Sequence, residues 1–286
     1  MSKQLARDLI NAGVHLGHGT GRWNPKMGAY IFGKRGMIHI IDVKETLKGL
    51  LLAKKLLAEV VASGKEVVFV GTKRQAQKAV RISAEKSGMH YVSERWLGGT
   101  LTNFRTIRSR LQRLEELEAV TESGQLESES KKRASRLKRE MRKIKTNLEG
   151  IRNMARLPGA VVVIDARKEY LALREAKKLG IPSIAVMDTD SDPDSVDVPI
   201  PANDDSIRAI EILLDEMVAV IASAKMLRAA APSVQAPVRA RSKRKPLARA
   251  EERASAQPEE AVVQTGVQEV STQTSEQNTE QPAEHQ

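Results

Sequence analysis

The feature that most constrains the fold is a set of three short runs of β-branched and apolar residues, at 66–70, 160–164 and 183–187. These runs are apolar at almost every position, whereas a strand with one face in water alternates apolar and polar residues. Continuous apolar runs of this length are typical of parallel strands that are buried on both faces of a sheet. The sequence therefore predicts a buried parallel sheet.

Amphipathic stretches lie between and around these predicted strands. They cover 47–61, 74–86 and 168–179, and a last one runs from 207 to 221 with apolar residues spaced by three and four. Strands that alternate with helices of this length form βαβ units, in which a helix joins consecutive parallel strands. We predict a doubly wound α/β fold with helices on both faces of the sheet.

A tight turn near the start of the chain predicts a β-hairpin. Residues 33–36, Gly-Lys-Arg-Gly, separate two short apolar segments at 30–32 and 38–41. Glycines at such a turn allow a short connection between antiparallel strands. Lys34 and Arg35 would then lie at the tip of the hairpin.

The segment 104–156 breaks the alternation of strand and helix. Its apolar residues recur at heptad-like spacing from 104 to 117 and again from 137 to 155, which predicts an inserted antiparallel coiled-coil hairpin. Helices of about 18 and about 28 residues would extend roughly 27 to 42 Å. The segment carries 15 Lys and Arg against 8 Glu. We interpret this excess as a polyanion-binding surface; the alternative is that the charges only solvate the helical pair.

These patterns divide the chain into three parts. An α/β domain comprises 1–103 and 157–230, the hairpin is inserted at 104–156, and a tail follows at 231–286. The tail has no aromatic residue and is rich in polar residues. We expect it to be disordered because it has little apolar surface to bury. A basic run within it, from 239 to 249, is either a solvated linker or a nucleic-acid arm.

Charge and composition narrow the classes of function. The 286 residues include 47 Lys and Arg, 36 Asp and Glu and no cysteine, which gives a net charge of +11. Such a basic chain favours a polyanionic partner. The lack of cysteine excludes disulfides, thiolate zinc sites and cysteine nucleophiles. No apolar run reaches the roughly 20 residues of a membrane span, and the N-terminus lacks the apolar stretch of a signal peptide. We therefore expect a soluble, intracellular protein with no membrane partner.

Two glycine clusters raise the question of a nucleotide-dependent enzyme. Gly71 lies between a predicted strand and a predicted helix, where a phosphate could bind, but the phosphate-loop and dinucleotide fingerprints are missing. Gly17, Gly19 and Gly21 alternate, yet no strand signal precedes them. No nucleophile, base and orienting group form a recognisable pattern. We predict a protein that is not an enzyme, with a nucleotide-binding α/β enzyme as the alternative.

Three aspartates follow predicted strand segments and are expected at the carboxyl edge of the sheet. They are Asp188, Asp204 and Asp205, and His15 and His18 lie in an earlier segment that could approach the same edge. One His with two or three carboxylates can hold a divalent cation, and nothing nearby suggests hydrolysis, so such a site would be structural. Alternatively, Asp204 or Asp205 caps the last helix by accepting backbone N–H bonds.

The two tryptophans each lie beside a cation. Trp23 belongs to 22–26, Arg-Trp-Asn-Pro-Lys, and Trp96 belongs to 94–99, Glu-Arg-Trp-Leu-Gly-Gly. Such pairs can stack on a base or ribose and neutralise a phosphate, although tryptophans also commonly fill protein cores. The polar turn at 98–103 offers backbone N–H groups to a phosphate.

Nine separated motifs resemble one known family, the bacterial type of ribosomal protein S2 of the small subunit. They are Gly17-His18, Arg22-Trp23-Asn24-Pro25-Lys26-Met27, Tyr30-Ile31-Phe32-Gly33, His39-Ile40-Ile41-Asp42, Phe69-Val70-Gly71-Thr72-Lys73, Arg95-Trp96-Leu97-Gly98-Gly99, Leu101-Thr102-Asn103-Phe104, Leu179-Gly180-Ile181-Pro182 and Asn203-Asp204-Asp205. Their order and spacing match the family from the N-terminus to about residue 225. Nine ordered matches of this kind are hard to obtain by chance.

The resemblance implies a Rossmann-like, flavodoxin-type α/β domain with an inserted coiled-coil hairpin. It also implies a cytoplasmic, non-catalytic protein that binds 16S ribosomal RNA near the junction of the head and body of the small subunit. Its partners would include other small-subunit proteins, among them ribosomal protein S1, which the family helps to anchor. No small-molecule substrate is implied. The alternative is a protein-interaction module whose coiled coil binds no RNA.

The resemblance further implies site residues. The segments 22–26 and 95–103 and the basic hairpin are the RNA contacts that it implies, and we add the cations of the turns at 33–36 and 71–74 to the predicted contacts. They are Arg22, Trp23, Lys26, Lys34, Arg35, Lys73, Arg74, Arg95, Trp96, Asn103, Arg105, Arg108, Arg110, Arg113, Lys131, Lys132, Arg136 and Arg139. No cofactor is required, but some family members have been linked to zinc, and the matching ligands here would be His18, Asp188, Asp204 and Asp205.

The chain departs from the family pattern at three places. The family usually has Asn where this chain has Asp190 and Gly where it has Ala202, both beside the predicted metal ligands. Its members often end soon after the last helix, whereas this chain continues for more than 50 residues. The resemblance assigns no function to that tail.

Overall fold

The computed structural model describes residues 3–124 and 130–230, so the predicted tail at 231–286 lies outside the described residues. In chain order the elements are α1 (Lys3–Asn11), β1 (Leu16–Gly19), β2 (Ile31–Arg35), β3 (Ile38–Ile41), α2 (Val43–Ala62), β4 (Val67–Val70), α3 (Arg74–Ser87), β5 (His90–Val92), α4 (Phe104–Glu122), α5 (Lys131–Leu148), β6 (Ala160–Ile164), α6 (Tyr170–Leu179), β7 (Ser183–Met187), β8 (Val198–Pro201) and α7 (Ile207–Ala230). Short 3₁₀ turns cover Pro25–Tyr30, Glu149–Ile151 and Pro193–Ser195. None of the helices in these two ranges is long and apolar enough to cross a bilayer.

The main sheet has five parallel strands in the order β5-β4-β6-β7-β8. Numbered by their sequence within this sheet, that order is the flavodoxin type, in which the first strand lies between the second and the third. The predicted strands are observed as β4, β6 and β7, and every residue in them is buried. The predicted α/β fold class is therefore confirmed.

Helices cover both faces of this sheet. Val67 and Phe69 of β4 pack into a core with α2, α3 and α7. Val68 and Val70 of the same strand pack into a second core with α6 and with residues of α4 and α5. Because successive side chains on a strand point to opposite faces, one continuous apolar run supplies both cores. This is the doubly wound arrangement that the sequence predicts.

The N-terminal part of the chain forms a separate sheet of three antiparallel strands in the order β1-β3-β2. The predicted hairpin is the β2–β3 pair, in which Lys34 lies opposite His39. Gly36 has a left-handed backbone, with φ of 62°, and so allows the turn. Lys34 and Arg35 are exposed at its end.

Helices α4 and α5 pack against each other. The buried residues of α4 are Ile107, Leu111, Leu114 and Leu117, which are the positions that the heptad-like spacing predicts. Arg108 near the start of α4 donates to the carbonyl of Met154, just after α5, whereas Thr121 at the end of α4 lies 3.8 Å from Met141 within α5. The partner moves backward along the chain as α4 advances, so the two helices run in opposite directions. The coiled-coil geometry of this pair and the predicted domain boundaries stay predictions.

The second helix of this pair is shorter than the predicted length of about 28 residues. It has 18 residues and ends at Leu148, where a 3₁₀ turn begins that packs against β5. A Cβ at Gly150 would overlap the carbonyl oxygen of Tyr91. The close approach of the backbone to β5 thus ends the helix, and this contact between distant segments has no signal in the local spacing.

Candidate functional site

The strand order of the main sheet reverses between β4 and β6. The loop after β4 carries Thr72 and Lys73, and the loop after β6 carries Asp165 and Glu169. In flavodoxin-type sheets, ligands commonly bind in the crevice that such diverging loops create. In this chain the protein's own polar side chains bridge the two loops.

Glu169 accepts the hydrogen bonds that the glycine turn could otherwise offer to a phosphate. It is almost fully buried, and its carboxylate accepts bonds from the Thr72 backbone N–H at 2.9 Å and from the Thr72 hydroxyl. Burial raises the pKa of Glu169, and the two bonds from Thr72 oppose that rise. A phosphate at the start of α3 would need the same amide. The geometry therefore does not favour the nucleotide-binding alternative.

Lys73, a predicted RNA contact, points into an acidic cluster at this edge. Its Nζ lies 2.7 Å from Asp204 Oδ1, 2.6 Å from Asp205 Oδ1 and 3.7 Å from Asp165 Oδ2. Burial lowers the pKa of Lys73, but hydrogen bonds to Asp204 and Asp205 outweigh burial and hold the pKa above its ordinary value. The ammonium is charged and bonded within the protein, so its predicted contact with RNA would require this network to open.

Strand β1 brings His18 to the same cluster from the antiparallel sheet. Its backbone N–H donates to Asp188 Oδ1 and to Thr189 Oγ1, both at 3.1 Å. Its ring Nδ1 lies 2.8 Å from Asp188 Oδ2, and its Nε2 lies 3.5 Å from Asp205 Oδ2. The close approach of the Asp188 carboxylate raises the pKa of His18 to about 9. Residues 170 positions apart in the chain thus share one site.

Three of the four predicted metal ligands come together. Donor atoms of His18, Asp188 and Asp204 all lie within 4.8 Å of one another. Asp204 is only 1% exposed, and its Oδ2 has no hydrogen-bond partner within the ranges that the structure describes. Burial, reinforced by Asp165, raises the pKa of Asp204 to about 7. A buried oxygen without a partner is costly. One imidazole nitrogen with two carboxylate oxygens suits a divalent cation, so these residues fit the predicted metal.

The other predicted ligands of this edge have different surroundings. Asp205 is half exposed and contacts both Lys73 and His18, and His15 is not one of the three grouped residues. The N-terminus of α7 is capped by Ser206, whose Oγ accepts from the backbone N–H of Ala209 at 3.4 Å. A neighbouring serine thus caps α7, rather than Asp204 or Asp205 as the sequence left open.

Trp23 is exposed beside an open groove. The groove is lined by 21–25, Arg167 and Asp190, and the Trp23 ring lies 5.1 Å from the ring of His39 at an angle of 41°. Arg167 pairs with Asp190 at 2.8 Å. Asp190, a position where the chain departs from the family pattern, thus forms an ion pair outside the metal group.

Trp96 is buried, with only 5% of its surface exposed. It therefore packs in the core, which was the alternative to stacking on RNA. Its indole Nε1 donates to Glu175 on α6 at 3.1 Å. The Glu175 carboxylate also accepts from the backbone N–H groups of Gly99 at 2.7 Å, Leu101 at 2.9 Å and Thr102 at 3.0 Å. Burial opposes ionisation of Glu175, but these backbone bonds hold its pKa below the ordinary value.

Glu175 therefore holds in place the turn at 98–103, which the sequence predicts to bind a phosphate. The amides that were expected to meet a phosphate are bonded to this carboxylate instead. Charge-assisted bonds of this kind hold a turn firmly. Sequence reasoning missed Glu175 because one Glu in an amphipathic helix carries no motif, and its partners lie more than 70 positions away.

Most of the predicted RNA contacts are exposed. The exposed ones are Arg22, Trp23, Lys26, Lys34, Arg35, Arg74, Arg95, Asn103, Arg105, Arg110, Lys131, Lys132, Arg136 and Arg139. Lys73 and Trp96 are bonded internally, as described above. Arg108 donates to the Met154 carbonyl at 3.1 Å, and Arg113 pairs with Glu116 at 2.9 Å. The structure therefore displays a broad cationic surface, and the RNA contact of each residue stays a prediction.

The fold and the site together define a flavodoxin-type α/β protein that displays many Arg and Lys and whose crevice is bridged by its own side chains. Residues 9–224 match the family model described as Ribosomal protein S2, and the chain belongs to that family. It is 55% identical over 238 residues to the small ribosomal subunit protein uS2 of Rhodopirellula baltica, across 82% of this chain and 92% of the relative. Membership of this structural family confirms the predicted resemblance and the prediction that the protein is not an enzyme.

Proposed function

We propose that this protein is a structural constituent of the small ribosomal subunit that binds 16S ribosomal RNA near the junction of head and body. The observation that carries the proposal is the broad surface of exposed Arg and Lys described above. The name of the Rhodopirellula baltica relative, a small ribosomal subunit protein, supports the assignment to the small subunit.

The mechanism of binding is electrostatic docking. Each Lys or Arg that meets a phosphate releases a condensed counterion from the RNA, and the entropy of that release favours binding. Guanidinium groups add bidentate hydrogen bonds to phosphate oxygens. Helix α5 contains a single acidic residue, Glu140, among Lys and Arg at about every second position. We therefore assign to this helix the largest single contribution to the binding of RNA.

Sedimentation of tagged protein with 30S particles tests this function. We expect the wild type to sediment with the particles, and charge reversal to Glu at Arg105, Arg108, Arg136 and Arg139 to abolish the association. A matched variant reverses four exposed lysines outside the predicted contacts, Lys55, Lys78, Lys177 and Lys178, and should keep it. If the variant with the four reversed arginines still sediments with the particles, the hairpin does not bind the ribosomal RNA.

The proposal includes a structural divalent cation, such as zinc, held by His18, Asp188 and Asp204. When bound, the ion would supply the positive charge that these donors share and would tie β1 to the carboxyl edge of the main sheet. Elemental analysis of the purified protein tests this assignment. We expect bound metal in the wild type and in the exposed control Asp194→Ala, and its loss in Asp188→Ala. Equal metal content in all three proteins would contradict the site.

The proposal also includes anchoring of ribosomal protein S1. The β2–β3 hairpin exposes three large apolar side chains, Phe32 at 79%, Met37 at 75% and Ile38 at 45%. We assign these three side chains as the docking patch, because exposed apolar surface marks protein interfaces. Small subunits that carry Phe32→Ser with Met37→Ser should retain less S1, measured by immunoblot. The control Leu51→Ser with Leu52→Ser, on the exposed face of α2, should retain it. Full retention in both would remove this patch as the anchor.

A further inference from the structure

A groove lies where the turn after β5 meets the helices α4 and α5. Its volume is about 480 Å³, within the range of about 300 to 1,000 Å³ that is common for small-ligand sites. The residues that line it are Leu97, Arg110, Arg136, Glu140, Lys143, Ile144, Asn147 and Leu148. The groove thus joins two segments that the sequence places far apart, the Arg-Trp turn and the basic helices.

The lining of this groove is apolar at its base. Leu148 is buried in the second core, and Leu97 and Ile144 are half buried and pack against that core. Each of the two half-buried side chains therefore presents part of its apolar surface to the groove. A surface that contacts only phosphates would have no need of such a base, because phosphate oxygens gain nothing from apolar contact.

The rim of the groove is cationic. Arg110, Arg136 and Lys143 are exposed, and none of them has a carboxylate partner among the residues described by the structure. The one acidic residue in the lining, Glu140, lies 3.7 Å from Arg113, which also pairs with Glu116 at 2.9 Å. Three cations against one carboxylate therefore surround the apolar base of the groove.

Asn147 adds an uncharged polar side chain to the lining. Asn147 donates from Nδ2 to the Lys143 carbonyl at 2.8 Å, which leaves its Oδ1 as an acceptor. An amide oxygen of this kind can accept a hydrogen bond from the amino group of a nucleobase.

We propose that the groove binds one unstacked nucleotide of RNA, with its base against Leu97, Ile144 and Leu148 and its phosphates on Arg110, Arg136 and Lys143. RNA recognition commonly uses bases that are splayed out of the helix, which offer an apolar face and a charged backbone together. An acidic peptide would satisfy the rim, but it would also need an aromatic side chain at the right position to cover the apolar base of the groove, whereas every nucleotide carries both a flat ring and a phosphate. The inference rests on the proposed RNA-binding function and extends it to a specific class of ligand.

Glu175 keeps one wall of the groove in place. It bonds Trp96 and Gly99, which flank Leu97 on both sides. The wall is therefore formed before RNA arrives, so binding has little ordering cost at this position.

Binding of the full chain to a 16S ribosomal RNA transcript, measured over a range of salt concentrations, tests the proposal. The rim variant Arg136→Ala with Lys143→Ala should bind at least tenfold more weakly and with a salt slope that is smaller by about 1 to 2. The matched control Lys138→Ala with Arg142→Ala removes the same charges from exposed positions of the same helix that do not line the groove. It should lose clearly less affinity.

The base of the groove is tested by Ile144→Ser, which leaves the charge unchanged. Loss of roughly 50 Å² of apolar contact, at about 25 cal per mol per Å², corresponds to about an eightfold weaker affinity. The salt slope should stay that of the wild type, because no phosphate contact is lost. If the thermal unfolding midpoint of this variant falls sharply, Ile144→Thr is measured in its place.

The outcomes separate the inference from the function on which it rests. A wild-type chain that binds the transcript without salt dependence would overturn both. Normal binding of Ile144→Ser and Ile144→Thr, with loss only in the rim variant, would mean that phosphates alone dock here and would overturn the nucleotide site. Equal losses in the rim and control variants would do the same. Normal RNA binding of every variant, with impaired association with 30S particles, would assign the groove to a protein partner.

Discussion

Glu175 is the residue on which the turn after β5 depends. Its carboxylate accepts one indole and three backbone N–H bonds, and its pKa lies below the ordinary value because these bonds outweigh burial. A group whose pKa is lowered by folding stabilises the folded state above its unfolded pKa. That contribution is lost as the pH falls through the folded pKa.

We expect Glu175→Gln to lower the free energy of unfolding by about 1 to 2 kcal/mol at pH 7, because a neutral amide accepts these bonds less strongly. The difference from the wild type should shrink as the pH falls through the lowered pKa of Glu175, where the wild-type carboxyl becomes protonated. Urea unfolding at pH 7, 5 and 3.5 measures it. The control Glu85→Gln, exposed on α3, should change stability little at any pH. A difference that stays constant with pH would show that the charge of Glu175 is not what matters.

At the scale of elements, the junction between α5 and the main sheet depends on a backbone contact. Gly150 lies against the Tyr91 carbonyl of β5 so closely that a Cβ would overlap it. The backbone fixes the position of that Cβ, and the atom that it meets first is a backbone oxygen, so a side-chain rotation cannot relieve the clash. The helical pair is therefore held to the sheet at a point that tolerates only glycine.

We expect Gly150→Ala to reduce the free energy of unfolding by about 2 to 3 kcal/mol, the upper part of the range for overpacking. Gly98→Ala is the matched control, because a Cβ there would meet nothing within 4 Å. Its effect should stay within about 0.5 kcal/mol. Thermal and urea unfolding compare the two. Similar stabilities would mean that the chain around residue 150 shifts easily away from β5.

At the scale of the whole molecule, charge is distributed unevenly. Negative side chains gather at the carboxyl edge of the sheet around Lys73, whereas α5 displays Lys and Arg with a single Glu. Within the described ranges, this acidic edge holds Lys73 and His18 against four carboxylates, those of Asp165, Asp188, Asp204 and Asp205. The excess of positive charge lies on the helical pair and its surroundings. This separation of charge favours binding of a polyanion to the surface of the helical pair.

If about 8 phosphates are neutralised, affinity for 16S ribosomal RNA should fall roughly a thousandfold or more between 50 and 200 mM monovalent salt. Filter binding at constant magnesium concentration measures this slope. The fourfold charge reversal at Arg105, Arg108, Arg136 and Arg139 should give a smaller slope than the wild type. Affinity that is insensitive to salt would contradict electrostatic docking as the source of binding.

The amino-acid sequence alone determined the α/β class, the three central strands β4, β6 and β7 of the five in the main sheet, and the excess of positive charge on 104–156, because each follows from local periodicity and composition. The tertiary structure alone decided that Glu175 takes the turn amides, that Lys73 faces carboxylates, and that α5 ends against β5. It also placed Leu97 beside Ile144 in one groove. Each of these is a contact between segments far apart in the chain, and its energy depends on distances that only the packed fold defines.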